Sequence, residues 1–109
     1  MQACRILVVA VSAAGLLAGA AAWRSAAAAD AERGMVLYDT RCVACHNTGV
    51  HNRDKRRAMN FADVREWVTR WSNFLGSDWG PTEIDDVSRY VNERFYGFPC
   101  PSDVCSLGS

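Results

Sequence analysis

Apolar residues recur at spacings of three and four in two stretches of this chain, and they alternate with polar ones in none long enough to be a strand. Phe61, Val64, Val68, Trp71 and Leu75 fall on one face of a helix. Asn60, with Asp63 three residues later, is a capping signature at its start, and Gly76 ends it. Gly80-Pro81 breaks the chain, Thr82 followed by Asp85 resembles a capping box, and the helix it opens carries Ile84, Val87, Val91 and Phe95 on its apolar side. Gly97, Pro99 and Pro101 stop that helix. Earlier in the chain Asp30 reads as an N-cap, with Arg33 to Tyr38 starting a helix that presents Val36 and Leu37 to a core. Asn47 to Asn60 lacks helical period and reads as a loop. The expected fold class is all-α, and no internal repeat is visible.

The first 29 residues have a different character. Arg5 precedes an uncharged apolar run from Ile6 to Ala22, and Ala27-Ala28-Ala29 before Asp30 gives the small-residue pattern that a signal peptidase needs. The competing reading is an uncleaved membrane anchor, because the run is close to the ~17-residue lower limit of a spanning helix. Its richness in alanine and glycine makes it only weakly hydrophobic, which favours a cleaved export signal over residues 1–29 and a periplasmic location. No stable membrane insertion is then expected after cleavage. Cys4 leaves with the leader.

What remains is small and nearly neutral. Removing the leader takes Arg5 and Arg24 but none of the 12 acidic residues, so ten basic side chains face twelve acidic ones. That balance gives no reason to expect nucleic acid or an anionic membrane as partner. An 80-residue domain buries little apolar surface and commonly needs a disulfide, metal or cofactor to hold it.

Cys42-Val43-Ala44-Cys45-His46 supplies a candidate for that support. Two thiols three positions apart can each add to a vinyl group on the same edge of a porphyrin, and the imidazole that follows can bind iron from the proximal face. Cys42 and Cys45 are therefore candidate attachment points for one covalent haem c, with His46 as proximal iron ligand. Export supports this reading, since haem is attached to such a motif on the exported side of the membrane, where a bare thiol pair would tend towards a disulfide. Cys100 and Cys105, with a turn between them, read as a local disulfide pinning the C-terminal tail over residues 98–109. The rival arrangement is a haem-free zinc-thiolate module built from Cys42, Cys45, Cys100 and Cys105, a type that belongs mainly to reducing compartments.

Gly34-Met35-Val36-Leu37-Tyr38, the Cys42 to His46 motif, and Glu83-Ile84-Asp85-Asp86-Val87-Ser88-Arg89-Tyr90-Val91 together resemble the small class I cytochromes c. The matched segments frame the chain from Gly34 to Tyr96. The resemblance implies a cytochrome c-like fold over residues 30–97. In that fold an N-terminal helix, through a glycine and an aromatic, crosses a C-terminal helix, with one further helix around a covalent haem. It also implies single-electron transfer between redox partner proteins, or service as a subunit of an exported oxidoreductase. Where that family carries its distal methionine, this chain has Asn73-Phe74-Leu75-Gly76-Ser77-Asp78-Trp79-Gly80 and no methionine.

The distal iron position is thus open between several candidates. His51 follows His46 by five residues, a reach of at most ~18 Å of extended chain, too short to round the macrocycle. It is placed instead at the haem edge, donating to a propionate or a carbonyl. Met59 can reach the distal face, with ordinary packing beside Phe61 as its alternative role. Met35 is assigned to the core and Asn73 is a weak candidate. If no side chain fills the position, a five-coordinate haem c would bind small gaseous ligands. From Arg53, Lys55, Arg56 and Arg57, a solvated loop run by default, one propionate contact is expected, with docking of an acidic partner as a further role. Trp71 and Trp79 are candidates to line the haem crevice. No acid/base pair, nucleophile elbow or phosphate loop is visible, so an enzyme is not expected.

Overall fold

Alpha helices form where caps or the apolar period predict them, α1 over Ala31–Arg41, α2 over Phe61–Leu75 and α3 over Pro81–Val91, and a short α4 over Ser102–Cys105 adds a turn in the tail that was not expected from the sequence. These elements come from a computed structural model in which residues 27–45, 48–52 and 54–106 are described, and no strand occurs among them. The all-α expectation holds. The segment read as export signal or membrane anchor lies almost wholly outside the described residues, and no described helix is long and apolar enough to cross a membrane.

Each helix boundary has a local cause. The Asp30 carboxylate accepts from the backbone N–H groups of Glu32 and Arg33, so α1 starts with two of its otherwise unpaired donors satisfied. Asn60 does the same for α2 through the Asp63 N–H, and Gly76 closes that helix in the left-handed region, at φ 62°. The start of α3 differs from the sequence expectation. Pro81 takes the first helical position, Gly80 is the cap, and the Glu83 carboxylate accepts from the Gly80 N–H at 3.0 Å. The capping partner is therefore Glu83 rather than Asp85, because proline at the first position moves the start two residues earlier than a cap at Thr82 would. After Val91 the chain continues as one π-helical turn over Asn92–Tyr96, stopped at Gly97 with φ 74°. The loop read over Asn47 to Asn60 contains a single 3₁₀ turn, Thr48–His51.

Helices α1 and α3 cross in direct contact. A Cβ at Gly34 would run into the carbonyl of Asp86 and the amide nitrogen of Val87, so glycine is what lets the two backbones meet. Tyr38, one turn on, packs with Val87 and Val91, Ala58 and Val64 in the core. Because residues 34 and 38 define the buried face of α1, Val36 is turned away and is 60% exposed, contrary to its expected place in the core; Met35, also expected there, is exposed as well. Leu37 is partly buried as expected.

The crossing also holds a buried charge. Asp86 is fully buried and accepts from the Asp30 N–H at 2.6 Å, while the Arg33 guanidinium pairs with its other oxygen. That hydrogen bond holds the Arg33 guanidinium above its ordinary pKa. Behind the crossing, the Cys100–Cys105 disulfide forms as expected, closing a loop whose Val104 carbonyl accepts from the Ala29 N–H at 2.8 Å. With two of the four thiols consumed, the zinc-thiolate module loses half of its ligands.

Candidate cofactor site

Helix α1 ends where the thiol motif begins. Cys42 caps it, donating its N–H to the Tyr38 carbonyl, and the following turn brings the Cys45 N–H to 3.4 Å from the Cys42 carbonyl. Tyr38 and Cys42 are four residues apart on a helix, so both side chains leave the same face. Cys42 and Cys45 are free thiols, the first half-buried and the second exposed. Burial, with a smaller contribution from Cys45, pushes the Cys42 thiol above its ordinary pKa. His46, the expected proximal ligand, lies outside the described residues.

Both thiols open into a cavity of about 590 Å³. Val64, Val68, Trp71 and Leu75, the face read from the period of α2, form one wall, and Val87 and Val91 of α3 form another. Trp67 and Trp79 also line it, so the crevice expected for Trp71 and Trp79 exists and includes a third indole. At the rim Trp71 and Phe74 meet edge to face with centroids 5.5 Å apart, and Phe74 is 78% exposed.

The mouth is basic. Arg41, Lys55, Arg56 and Arg57 all border the cavity, and Arg53 of the same run lies outside the described residues. Arg56 is anchored, donating to the Phe95 carbonyl at 2.8 Å with its guanidinium 5.1 Å above the Tyr96 ring. Arg57 sits 5.8 Å above the Trp67 ring. Cations lying on aromatic faces keep their charge while covering apolar surface, so anionic groups at this edge would meet oriented donors.

His51 also borders the cavity, though its ring is engaged by protein. Nε2 is 2.8 Å from the Tyr38 hydroxyl and Nδ1 is 3.3 Å from the Tyr96 hydroxyl, while the ring stacks on Phe95 at 4.2 Å. A neutral imidazole has one donor and one acceptor nitrogen, so one tyrosine donates to it and the other accepts. The partners expected for His51 were a propionate or a backbone carbonyl; the structure gives two tyrosines. Burial, with Cys42 next, raises the Tyr38 hydroxyl to about 12, and burial also raises Tyr96.

Met59, the candidate distal ligand, is 74% exposed and does not border the cavity. Its backbone N–H is held by the Asp63 carboxylate at 2.8 Å, and Ala58 and Phe61 on either side of it are the buried residues of that segment. Asn73 is exposed and likewise stands outside. The Tyr38–His51–Tyr96 cluster escaped the sequence reading. The signal for Tyr38 was present in its spacing from Cys42, whereas Tyr96 enters only because the π-helical turn rotates it back towards α1. Compared with known protein families, curated proteins and solved structures, the chain matches none.

Proposed function

We propose that this chain is an exported monohaem c-type cytochrome that passes single electrons between protein redox partners. The observation that supports it most is the convergence of the Cys42 and Cys45 thiols on one edge of a large aromatic and aliphatic cavity. Its volume falls within the ~300–1,000 Å³ that cofactor sites occupy. Neighbouring thiols, a largely apolar interior and a basic mouth together suit a macrocycle with two vinyl groups at one edge and carboxylates at another. The haem supplies a one-electron iron couple.

The chain's residues hold and shield it in this reading. Cys42 and Cys45 would attach the haem, His46 would supply an iron ligand, and Val64, Val68, Val87 and Val91 would exclude water from the ring. One or more of Arg41, Lys55, Arg56 and Arg57 neutralises the propionates. The exposed Trp71–Phe74 rim leaves an edge near solvent, where a partner can exchange electrons. The crossing of α1 and α3 at Gly34 fits a cytochrome c-like arrangement. Purified from an exporting host with haem-attachment machinery, the protein should be coloured, and the colour should stay with the polypeptide through acid–acetone extraction. Cys42→Ser/Cys45→Ser should lose it. A colourless wild-type protein, or pigment extracted freely from it, refutes the proposal.

A second reading, a five-coordinate haem c that binds small gaseous ligands, is favoured by the same wall. Met59 points away from it, and both ring nitrogens of His51 face tyrosine hydroxyls. Carbon monoxide added to the ferrous protein separates the two. A shifted spectrum supports ligand binding, and an unchanged low-spin spectrum supports the carrier.

A further inference from the structure

Small residues satisfy a signal peptidase equally well for cuts after Ala27, Ala28 or Ala29, because each places Ser or Ala at the required two positions. The folded domain distinguishes these bonds. Ala27 is exposed and Ala28 half-buried, whereas Ala29 is 6% exposed and is the first described residue that is buried. Both backbone groups of Ala29 are also used. Its N–H donates to the Val104 carbonyl at 2.8 Å, and its carbonyl accepts from Arg89 Nη1 at 2.7 Å. Val104 in turn is placed by the Cys100–Cys105 loop.

We propose that the leader is removed between Ala28 and Ala29, one residue before the end at Ala29 expected from the sequence, and that the disulfide-closed tail is the seat of the new amino terminus. The proposal rests on the export reading. Hydrolysis places the hydroxyl of water on the Ala28 carbonyl carbon and protons on the Ala29 nitrogen, while the chain is still unfolded and the bond accessible. On folding, the Ala29 ammonium meets the Val104 carbonyl, and a charged donor makes a shorter and stronger bond than the amide it replaces. Its remaining protons face the side that Ala28 occupied, towards water.

A cut one residue later would discard this arrangement. It would strip Arg89 Nη1 of its acceptor and Val104 of its donor, and it would remove a buried methyl group. The ammonium created on Asp30 would lie beside Asp86, but the Arg33 guanidinium already neutralises that carboxylate. Retaining Ala28 as well would leave a neutral amide at the seat.

The full chain, exported and isolated as holoprotein, should give an amino-terminal sequence of Ala29, Asp30, Ala31, Glu32, Arg33, with an intact mass to match. Any other first residue in an exported protein overturns the assignment and leaves export standing. A chain that keeps Met1 and stays in the cytoplasm overturns both. The seat has its own readout in amine acylation at limiting reagent, with Lys55, the single lysine, as internal reference. Cys100→Ser/Cys105→Ser should acylate at Ala29 several-fold faster relative to Lys55 than the parent does. An unchanged ratio overturns the tail as seat.

Discussion

Helix α3 faces two environments. Towards α1 it presents Asp86 and Ser88, both without exposure, and the backbones touch at Gly34 with the Asp86 carboxylate and the Ser88 hydroxyl both hydrogen-bonded. On the side shared with α2, Val87 and Val91 form a wall of the cavity, and the indoles that also line it are only partly covered. A buried aromatic removes ~150–250 Å² from water, worth about 25 cal/mol for each Å². A chain that packs its small and polar residues without a gap while leaving Trp71 and Phe74 exposed is shaped for an apolar body other than its own side chains. The crossing supplies rigidity; the cavity supplies room.

The crossing is most vulnerable at Gly34. Gly34→Val places two methyl groups against the α3 backbone, which has no far end of a side chain to yield, so the helices must separate. A loss above ~3 kcal/mol is expected, at the upper end of overpacking costs. In a domain of this size that lowers Tm by more than about 12 °C, and thermal unfolding followed by far-UV circular dichroism would show it. A Tm within a few degrees of the parent would mean that the crossing is looser than its geometry. Asp86→Ala should come next, at roughly 2–3 kcal/mol, because it leaves the part-buried Asp30 N–H without its acceptor and Arg33 without its partner. Urea unfolding measures it, and Arg33→Ala should cost a comparable amount, since it leaves the fully buried Asp86 carboxylate without its counter-charge.

Much of the crossing was legible in the sequence, and the reason is local. Helical period, Asp30, Asn60 and Gly76 are short-range signals, and they placed α1 and α2 correctly. Val36 and Met35 were misplaced because a short helix with few apolar residues does not reveal which face is buried. Gly34 decides that face, on which the apolar period is silent; only the family resemblance pointed to a glycine and an aromatic at a helix crossing, and Asp86 and Val87 are what stand opposite. The cavity was legible as a list of wall residues on α2 and as a thiol pair. It was less legible where the wall depends on a non-α turn. Phe95 was on the expected apolar face, whereas Tyr96 reaches His51 from the π-helical turn, and no period in the sequence announces an extra residue per turn.

That aromatic cluster gives a pH test of the boundary between the two regions. Tyr38 belongs to the crossing by its burial and to the cavity wall by its hydroxyl. Its folded pKa of about 12 lies above the ordinary value of 10.0, so the folded protein holds the proton more tightly than the unfolded chain does. Stability from this group is complete below pH 10 and is lost as pH rises from 10 towards 12, where the unfolded chain ionises first. Urea midpoints measured across that window should fall for the parent and fall less steeply for Tyr38→Phe. Parallel curves would show that the hydroxyl is not shielded.

The smallest effect is expected at Met59, and it bears on the cavity alone. Its side chain is 74% exposed, and the N–H that fixes this residue to Asp63 belongs to the backbone. Met59→Leu keeps the volume and removes only the sulfur, so stability should change by less than about 0.5 kcal/mol, as for surface substitutions generally. In the haem-loaded protein the substitution should leave the ferric and ferrous spectra unchanged, because a thioether held outside the wall has no iron to leave. A conversion from low to high spin in Met59→Leu would place the sulfur on the iron. Residues 58–60 would then have to turn inward on loading, making the cavity wall the adaptable partner of the fixed crossing.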